Sequence, residues 1–409
     1  MIPTDWPRAV AHVDADCFYA ACELARRPAL AGHPLAVMSS QDACVVAKTY
    51  EARARGVRTG MPVWEARRLV PDLVLLPADF RHYGLVSERL FRILRRFSPQ
   101  VERYSIDEAF LDLDGLCGYF RCSHGELADR IRRTVREEVG ITVSVGVSTG
   151  KVLAKMASES CKPDGTRVVP GRAIGSFLAS QPVEAVPGIG PRRAALARKF
   201  GIATAAALAR LDPRRVDRLL GKAGVDLWRE LRGGQAFPVT VEPPVPKSVQ
   251  RGASLGRRTR DARRVRAQLA HHAFRLALDL TARGLRARRL RVFLRLGDFR
   301  HVEAEVPLEE APTADYGRIA RAARRGLARL WRPGLVASGC GVAALGVEPA
   351  DAPQRSLLPD ADAETLPLWR AVAAIRRRHG AGAIAPACTV RPAGTRPEHR
   401  FRYPLLHAR

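Results

Sequence analysis

Apolar residues fill alternate positions at Ile141, Val143, Val145 and Val147, a period of two that predicts one strand with a single buried face. Short apolar runs predict further strands at Val10–Val13 and Leu35–Met38, and mixed alternation from Val101 to Leu113 predicts a β-hairpin. From Phe80 onward the period changes. Leu85, Leu90, Ile93 and Leu94 are apolar with arginines between them, the pattern of an amphipathic helix. Helices are also expected over Phe18–Arg27, stopped by Pro28, over Tyr50–Arg55 and Pro62–Val70, and from Ser148-Thr149-Gly150 to about Ser160. Asp16 is placed to cap the Phe18 helix. Strands and helices mix in α+β order rather than in a strict βαβ repeat.

Beyond Gly171 the pattern is helical to about Gly233-Gly234, with the run Val186-Pro187-Gly188-Ile189-Gly190-Pro191 inside it. Residues Pro238 to Pro246 are proline-rich and read as an extended linker. A second α+β module follows to about Val347, dense in arginine from Arg251 to Arg300. The remainder opens with acids and prolines before one more helix, Leu368 to Arg378. With 409 residues and no internal repeat of fixed period, the chain is expected to be a multidomain α+β protein.

Charge narrows the partners. The formal net charge is +27, and a surface rich in lysine and arginine attracts polyanions, gaining affinity by releasing counterions from phosphate backbones. A merely solvated basic surface is the plain alternative. Hydrophobic residues make up 46% of the chain, which excludes a disordered basic tail. None of the eight cysteines forms a C-x-x-C pair, so no zinc array is expected, and their scatter suits buried thiols in a reducing cytosol. Met1 to Arg8 lacks the apolar core of a secretory signal, and no apolar run is long enough to span a bilayer. A cytoplasmic protein without membrane contact is expected.

In a chain with 41 acids against 68 bases, clustered carboxylates stand out. Asp14 follows the first strand, and Asp107 and Glu108 are adjacent in Ser105-Ile106-Asp107-Glu108. Phosphoryl transfer needs such clusters, because divalent metals neutralise a polyphosphate and activate the attacking hydroxyl. Mg²⁺ prefers carboxylate oxygens. On a regular strand neighbouring residues point to opposite faces, so Asp107 and Glu108 share a site only at a bend. Taken alone, such pairs describe solvated loop acids equally well.

The surrounding residues are more specific. His12-Val13-Asp14-Ala15-Asp16-Cys17-Phe18-Tyr19-Ala20-Ala21-Cys22-Glu23 resembles the first catalytic motif of the Y-family DNA polymerases, and Tyr104 through Asp112 resembles the second. Ile141 through Ala154-Lys155 to Cys161-Lys162-Pro163-Asp164-Gly165 is similar to the third characteristic segment of that family's palm. Tyr50-Glu51-Ala52-Arg53, with Gly56-Val57 and Gly60-Met61-Pro62, resembles its fingers motif. The four matches fall in the family's order across residues 9–235, and residues 245–350 match by pattern only.

The resemblance implies a right-hand polymerase with palm (1–17 and 80–170), small fingers (18–79), helical thumb (171–236), linker (237–247), little finger (248–349) and a C-terminal tail (350–409). It implies error-prone, low-processivity, template-directed extension of primers with dNTPs past damaged DNA. Asp14, Asp107 and Glu108, with the backbone carbonyl of Ala15, would bind two Mg²⁺, for which Mn²⁺ could substitute. Cys17, Phe18, Tyr19, Tyr50, Arg53 and Lys162 would form the nucleotide pocket. Tyr50 and Arg53 are three apart and share a helix face, and the planar fork of Arg53 suits phosphate oxygens. Tyr19 would be a steric gate whose ring excludes a ribose 2′-hydroxyl, specificity by repulsion. Ala47 stands where many relatives carry threonine or serine, leaving Lys48 or Thr49 to supply the missing contact. The stretch Ser40 to Val46 looks closer to the polymerase V branch than to polymerase IV.

The Val186–Pro191 run resembles a helix–hairpin–helix turn, in which Gly188 and Gly190 let the backbone approach a phosphate and Pro191 suits the first helical position. Arg257, Arg258, Arg260, Arg288, Arg289 and Arg291 are little-finger candidates for phosphate contacts. Gln354-Arg355-Ser356-Leu357-Leu358 resembles the peptide by which bacterial polymerases dock on the sliding clamp, making Gln354, Leu357 and Leu358 clamp-binding candidates. The expected partners are primed template DNA, dNTPs and the sliding clamp, with the chain a monomer. Two other readings compete. A non-catalytic adaptor of the family would have lost the metal-binding acids that this chain keeps. A DNA-binding scaffold or nuclease built on the hairpin turn would need neither Tyr19 nor the Tyr50–Arg53 pair.

Overall fold

The computed structural model describes residues 5–39, 44–308, 311–351, 362, 365–380 and 382–389. It divides into two compact units, one ending at Pro243 and the other beginning at Pro244. The first unit opens with β1 (Val10–Ala15), α1 (Phe18–Arg26), β2 (Leu35–Met38), β3 (Val45–Lys48), α2 (Tyr50–Ala54), α3 (Val63–Leu69) and β4 (Val74–Pro77). It continues through α4 (Phe80–Leu94), β5 (Val101–Arg103), β6 (Glu108–Asp112), α5 (Leu116–Phe120), α6 (His124–Val139), β7 (Val143–Ser148), α7 (Lys151–Ser160) and β8 (Thr166–Val169). Four helices follow: α8 (Ile174–Ala179), α9 (Pro191–Lys199), α10 (Ala205–Ala209) and α11 (Pro213–Leu231), the last interrupted at Gly221.

A five-stranded sheet in the order β5-β6-β1-β7-β8 carries the unit, and β2, β3 and β4 form a separate sheet of three strands. All of β1 is buried because both faces of its sheet are covered. Ala11, Val13 and Ala15 join a core with Tyr83 and Phe91 of α4 and Leu127 and Ile131 of α6. His12 and Asp14 therefore turn to the opposite face, where α7 lies. That helix packs unusually close. A Cβ at Gly146 of β7 would sit 2.1 Å from the Ala154 carbonyl oxygen and 2.2 Å from the Ser158 amide, so only glycine admits the helix here.

The second unit contains β9 (Ser248–Thr259), α12 (Ala262–Ala282), β10 (Leu285–Leu296), β11 (His301–Pro307), α13 (Tyr316–Leu330), β12 (Ala337–Pro349) and α14 (Leu366–His379). Its antiparallel sheet runs β11-β10-β12-β9. Leu290, Val292 and Leu294 of β10 alternate into a core with Leu269 and Phe274 of α12 and Ile319 of α13.

The helix within the tail expected from residue 350 packs against this core. Val372 of α14 is in this core, the Trp369 Nε1–H donates to Asp315 at 2.9 Å, and the Trp369 ring meets Phe274 and Tyr316 edge-on. A single amphipathic helix beyond acids and prolines gave no sequence signal of what it covers. Gln354, Leu357 and Leu358 lie outside the described residues. The expectation of buried thiols holds for Cys22 and Cys340 only, and Cys388 is exposed. Among the described residues no helix is long and apolar enough to cross a membrane.

Candidate active site

The pairing of β1 with β6 places Asp14 directly opposite Glu108. The bend that Asp107 and Glu108 require is present. The amides of Tyr104 and Ser105 both donate to the Glu108 carbonyl, at 3.0 and 3.1 Å, closing a tight turn between β5 and β6. Ser105 Oγ accepts from the amides of Asp107 (3.2 Å) and Glu108 (3.1 Å) and also bonds the Asp107 carboxylate. The Ala15 amide donates to the Asp107 carbonyl at 3.0 Å, tying the turn to the end of β1.

His12 has no assigned role in the sequence reading, yet it belongs to this cluster. Ligating atoms of His12, Asp14 and Glu108 lie within 4.8 Å of one another. His12 Nδ1 is 2.7 Å from Ser158 Oγ. Its Nε2 stands 3.6 Å from Glu108 Oε2, too long for a hydrogen bond, and has no other partner. Burial lowers the imidazole to about 4, so it is neutral at physiological pH. The available signal was its position two residues before Asp14 on the same strand face.

Two lysines face the carboxylates. Lys155 Nζ is 2.8 Å from Glu108 Oε2 and 3.9 Å from Asp14 Oδ2, and Lys162 Nζ is 2.7 Å from Asp14 Oδ1 and 3.0 Å from Glu159. Lys155 was quoted within a motif without a role. It lies one turn after Lys151 on the face of α7 that meets the sheet. Burial raises Asp14 to about 8, against the opposing pull of Lys162, and burial also raises Asp107. Burial would raise Glu108 too, but the nearby imidazole and the Lys155 charge outweigh it and hold Glu108 at about 2.

The three carboxylates and Lys162 border a cavity of about 420 Å³. Asp14, Ala15, Asp107 and Glu108 line it together with Cys17, Phe18, Tyr19, Tyr50, Arg53 and Lys162, so the structure brings every sequence-derived metal and nucleotide candidate to one place. The Tyr19 ring stacks on Tyr83 with centroids 4.7 Å apart and planes 17° apart, and meets Phe80 edge-on at 5.4 Å. Thr49 is already engaged as the cap of α2, accepting from the Ala52 amide at 3.4 Å. Lys48, beside Ala47, also lines the cavity, its Nζ donating to Thr59 Oγ1 at 3.0 Å.

Asp16 does not cap α1. The cap position is Cys17, in the left-handed region at φ 41°, with no side-chain bond to the helix. The Asp16 amide still bonds the Thr142 carbonyl at 3.0 Å in continuation of the sheet. Its carboxylate instead accepts from Ser144 Oγ and the Asp164 amide, both at 2.8 Å, and from the Tyr50 hydroxyl at 3.5 Å. It thus buttresses the segment that carries Lys162.

The remaining candidates are dispersed. Gly188 has φ +88°, and its carbonyl accepts from Arg193 at 3.1 Å. Gly190 precedes Pro191 at the start of α9, and a Cβ there would meet nothing within 4 Å. Arg257 and Arg258 are exposed on β9. Arg288 pairs with Glu348 at 2.8 Å, and Arg289 and Arg291 each pair with Glu305 at 2.7 Å.

Comparison with known proteins identifies the class. Residues 13–159 match the impB/mucB/samB family and residues 246–357 match the C-terminal domain of that family. The chain is 39% identical over 301 residues to DNA polymerase IV of Methanoculleus marisnigri, covering 72% of this chain and 83% of the relative. It is 33% identical over 391 residues to DNA polymerase IV of Desulfatibacillum aliphaticivorans, covering 93% and 96% of the two chains. Among solved structures, a Y-family DNA polymerase chimera of Dbh and Dpo4 superposes with a TM-score of 0.69 at 25% identity, over 83% of this chain and 99% of that one.

The chain belongs to the impB/mucB/samB family, the Y family of DNA polymerases. It is a DNA-directed DNA polymerase of the translesion type, and the adaptor reading is not favoured. The named relatives are polymerases IV, so the polymerase V likeness of Ser40 to Val46 is local. Members of this family depend on divalent metal, and the donor set here fits one. Carboxylate oxygens suit a hard cation. Burial raises Asp14 to about 8 and so disfavours its carboxylate form, which a divalent ion would stabilise.

Proposed function

We propose that the cavity beside Asp14, Asp107 and Glu108 carries out nucleotidyl transfer from dNTPs to the 3′ end of a primer on template DNA. The observation that carries this reading is the convergence of all the metal and nucleotide candidates on one 420 Å³ space. Asp14, Asp107, Glu108 and the Ala15 carbonyl would hold two Mg²⁺, which would neutralise the triphosphate and lower the pKa of the primer hydroxyl.

The other tasks fall to the chain. Ser105 orients Asp107 through the turn. Arg53, exposed on α2, and Lys48 reach phosphate oxygens, and Lys162, which bonds Asp14 here, would be a further cation for the triphosphate. Tyr19, braced by Tyr83, occupies the position a 2′-hydroxyl would need.

The five-stranded sheet is the palm, residues 18–79 the fingers, residues 171–236 the thumb and the second unit the little finger. Backbone at Gly188 and Gly190 and the side chains of Arg257 and Arg258 contact DNA phosphates, while Arg288 and Arg289 do so only by exchanging Glu348 and Glu305 for phosphate. Gln354, Leu357 and Leu358 engage a sliding clamp, and the protein works as a cytoplasmic monomer with low processivity.

Primer extension tests the reading, with purified protein, primed template, four dNTPs and Mg²⁺ beside Asp107→Ala and Glu108→Ala. Extension by the wild type that disappears in both variants is the expected result. Binding of primed DNA without extension by the wild type would refute it and return the adaptor reading.

A further inference from the structure

On the second unit, α12 and α13 lie over the sheet, and a cavity of about 560 Å³ opens along them. Its floor is apolar. Leu269, Ala323 and Leu327 are buried there, and the small side chains of Ala267, Ala270 and Ala320 leave the channel open. Along α13 the lining residues Tyr316, Ala320, Ala323 and Leu327 are spaced four, three and four apart. That is the seam period by which one helix receives another.

The rim is cationic on both sides. Arg263 and Arg266 project from α12, and Arg321 and Arg324 from α13. All four are exposed, and none has a carboxylate partner among the described residues. Several other arginines of this unit are matched, Arg251 with Asp279, Arg288 with Glu348, Arg289 and Arg291 with Glu305, and Arg318 with Asp362, whereas these four gather around one apolar floor.

We propose that this groove docks an amphipathic helix of a partner protein, apolar along one stripe and acidic on both flanks. Charge complementarity selects that occupant, with arginines on the two banks acting as the flanking charges of a helical seam. A nucleic-acid backbone would satisfy the arginines but leave the apolar floor uncovered. A second copy of this chain is repelled, since no described α-helix carries a net negative charge. The segment after Thr389 holds five arginines and one glutamate, so it is repelled as well.

The test uses the full chain and a fluorescein-labelled synthetic helix of about 20 residues, with leucine at the a and d positions and glutamate at e and g. A second peptide carries lysine for glutamate. Fluorescence anisotropy is expected to give saturable binding of the acidic peptide, at least about tenfold tighter than the basic one. The double variant Arg266→Glu/Arg321→Glu weakens binding by at least about tenfold. Ala320→Trp, which fills the groove without changing charge, does the same. Bound peptide slows alkylation of Cys388, whose Sγ lies at the groove 3.1 Å from the Tyr316 hydroxyl. Primer extension by both variants stays at the wild-type level.

Equal binding of the two peptides, or unchanged affinity in both variants, overturns the proposal. So does a loss of primed-duplex affinity in the charge-reversal variant, which would make the groove a nucleic-acid surface. Sedimentation revealing dimers that the same variant dissolves, or peptide binding only after removal of residues 390–409, would assign the groove to this chain itself.

Discussion

Replacing Lys151 with methionine isolates the interaction that holds the catalytic hairpin against α7. Lys151 Nζ lies 2.7 and 2.8 Å from the two Glu102 oxygens, with the side chains only 7% and 4% exposed. The carboxylate also accepts from the Thr240 amide at 2.8 Å. Methionine keeps the length and apolar contacts of the lysine stem but removes the cation that Lys151 supplies to a buried anion. Breaking such a pair costs about 3–5 kcal/mol. The double variant Lys151→Met/Glu102→Leu removes both charges. Apolar replacement of a buried pair gains from nothing to about 4 kcal/mol, offset by about 1–3 kcal/mol for the Thr240 amide left without an acceptor. The double variant should therefore fall within about 3 kcal/mol of the wild type. Lys151 begins the helix that carries Lys155, and Glu102 lies on β5 beside the strand that carries Glu108. Nucleotide incorporation should fall in the single variant and recover in the double. Urea unfolding followed by tryptophan fluorescence measures the first effect, and single-nucleotide incorporation the second. A single variant within about 1 kcal/mol of the wild type, or a double variant no better than the single, would refute the reasoning.

Gly146→Ala forces α7 off the sheet and should cost stability at the upper end of about 1–3 kcal/mol, with incorporation falling in parallel; a thermal melt matching the wild type would contradict the close packing. Tyr19→Ala should raise ribonucleotide incorporation at least about tenfold relative to deoxynucleotides, and unchanged sugar discrimination would sink the gate. Ser105→Ala removes the hydroxyl that accepts from two amides in the metal-binding turn, and incorporation should drop about tenfold while overall stability falls by only about 1–2 kcal/mol. Stability loss without an activity loss would mean the hydroxyl serves the fold alone.

Much of this site was legible because four segments of the sequence resemble the family's motifs, and period and spacing set those segments on strands and helices. Alternation located β7 and a short apolar run β1, while amphipathic spacing located α4 and a start signal α7, each within a few residues. The pairing of Asp14 with Glu108 was not legible, since register depends on which strands meet. Nor was the bend at Ser105, where one hydroxyl and two amides override the strand alternation. Asp16 was misread because a carboxylate just before a helix suits a cap. Continued sheet bonding through its amide instead turns it toward Ser144 and Asp164, which are distant in sequence. His12 and Lys155 take their meaning from a sheet–helix contact that Gly146 alone permits. The packing of α14 depends on Phe274 and Asp315, far away along the chain.

Counting bound Mn²⁺ tests most directly whether Asp14, Asp107 and Glu108 form a two-ion site. Electron paramagnetic resonance would follow a Mn²⁺ titration of the protein on a dideoxy-terminated primed template with the matching dNTP. Two ions per chain are expected in the wild type, and one or none in Asp14→Ala and Glu108→Ala. A single ion in the wild type, or two persisting in both variants, would contradict the account.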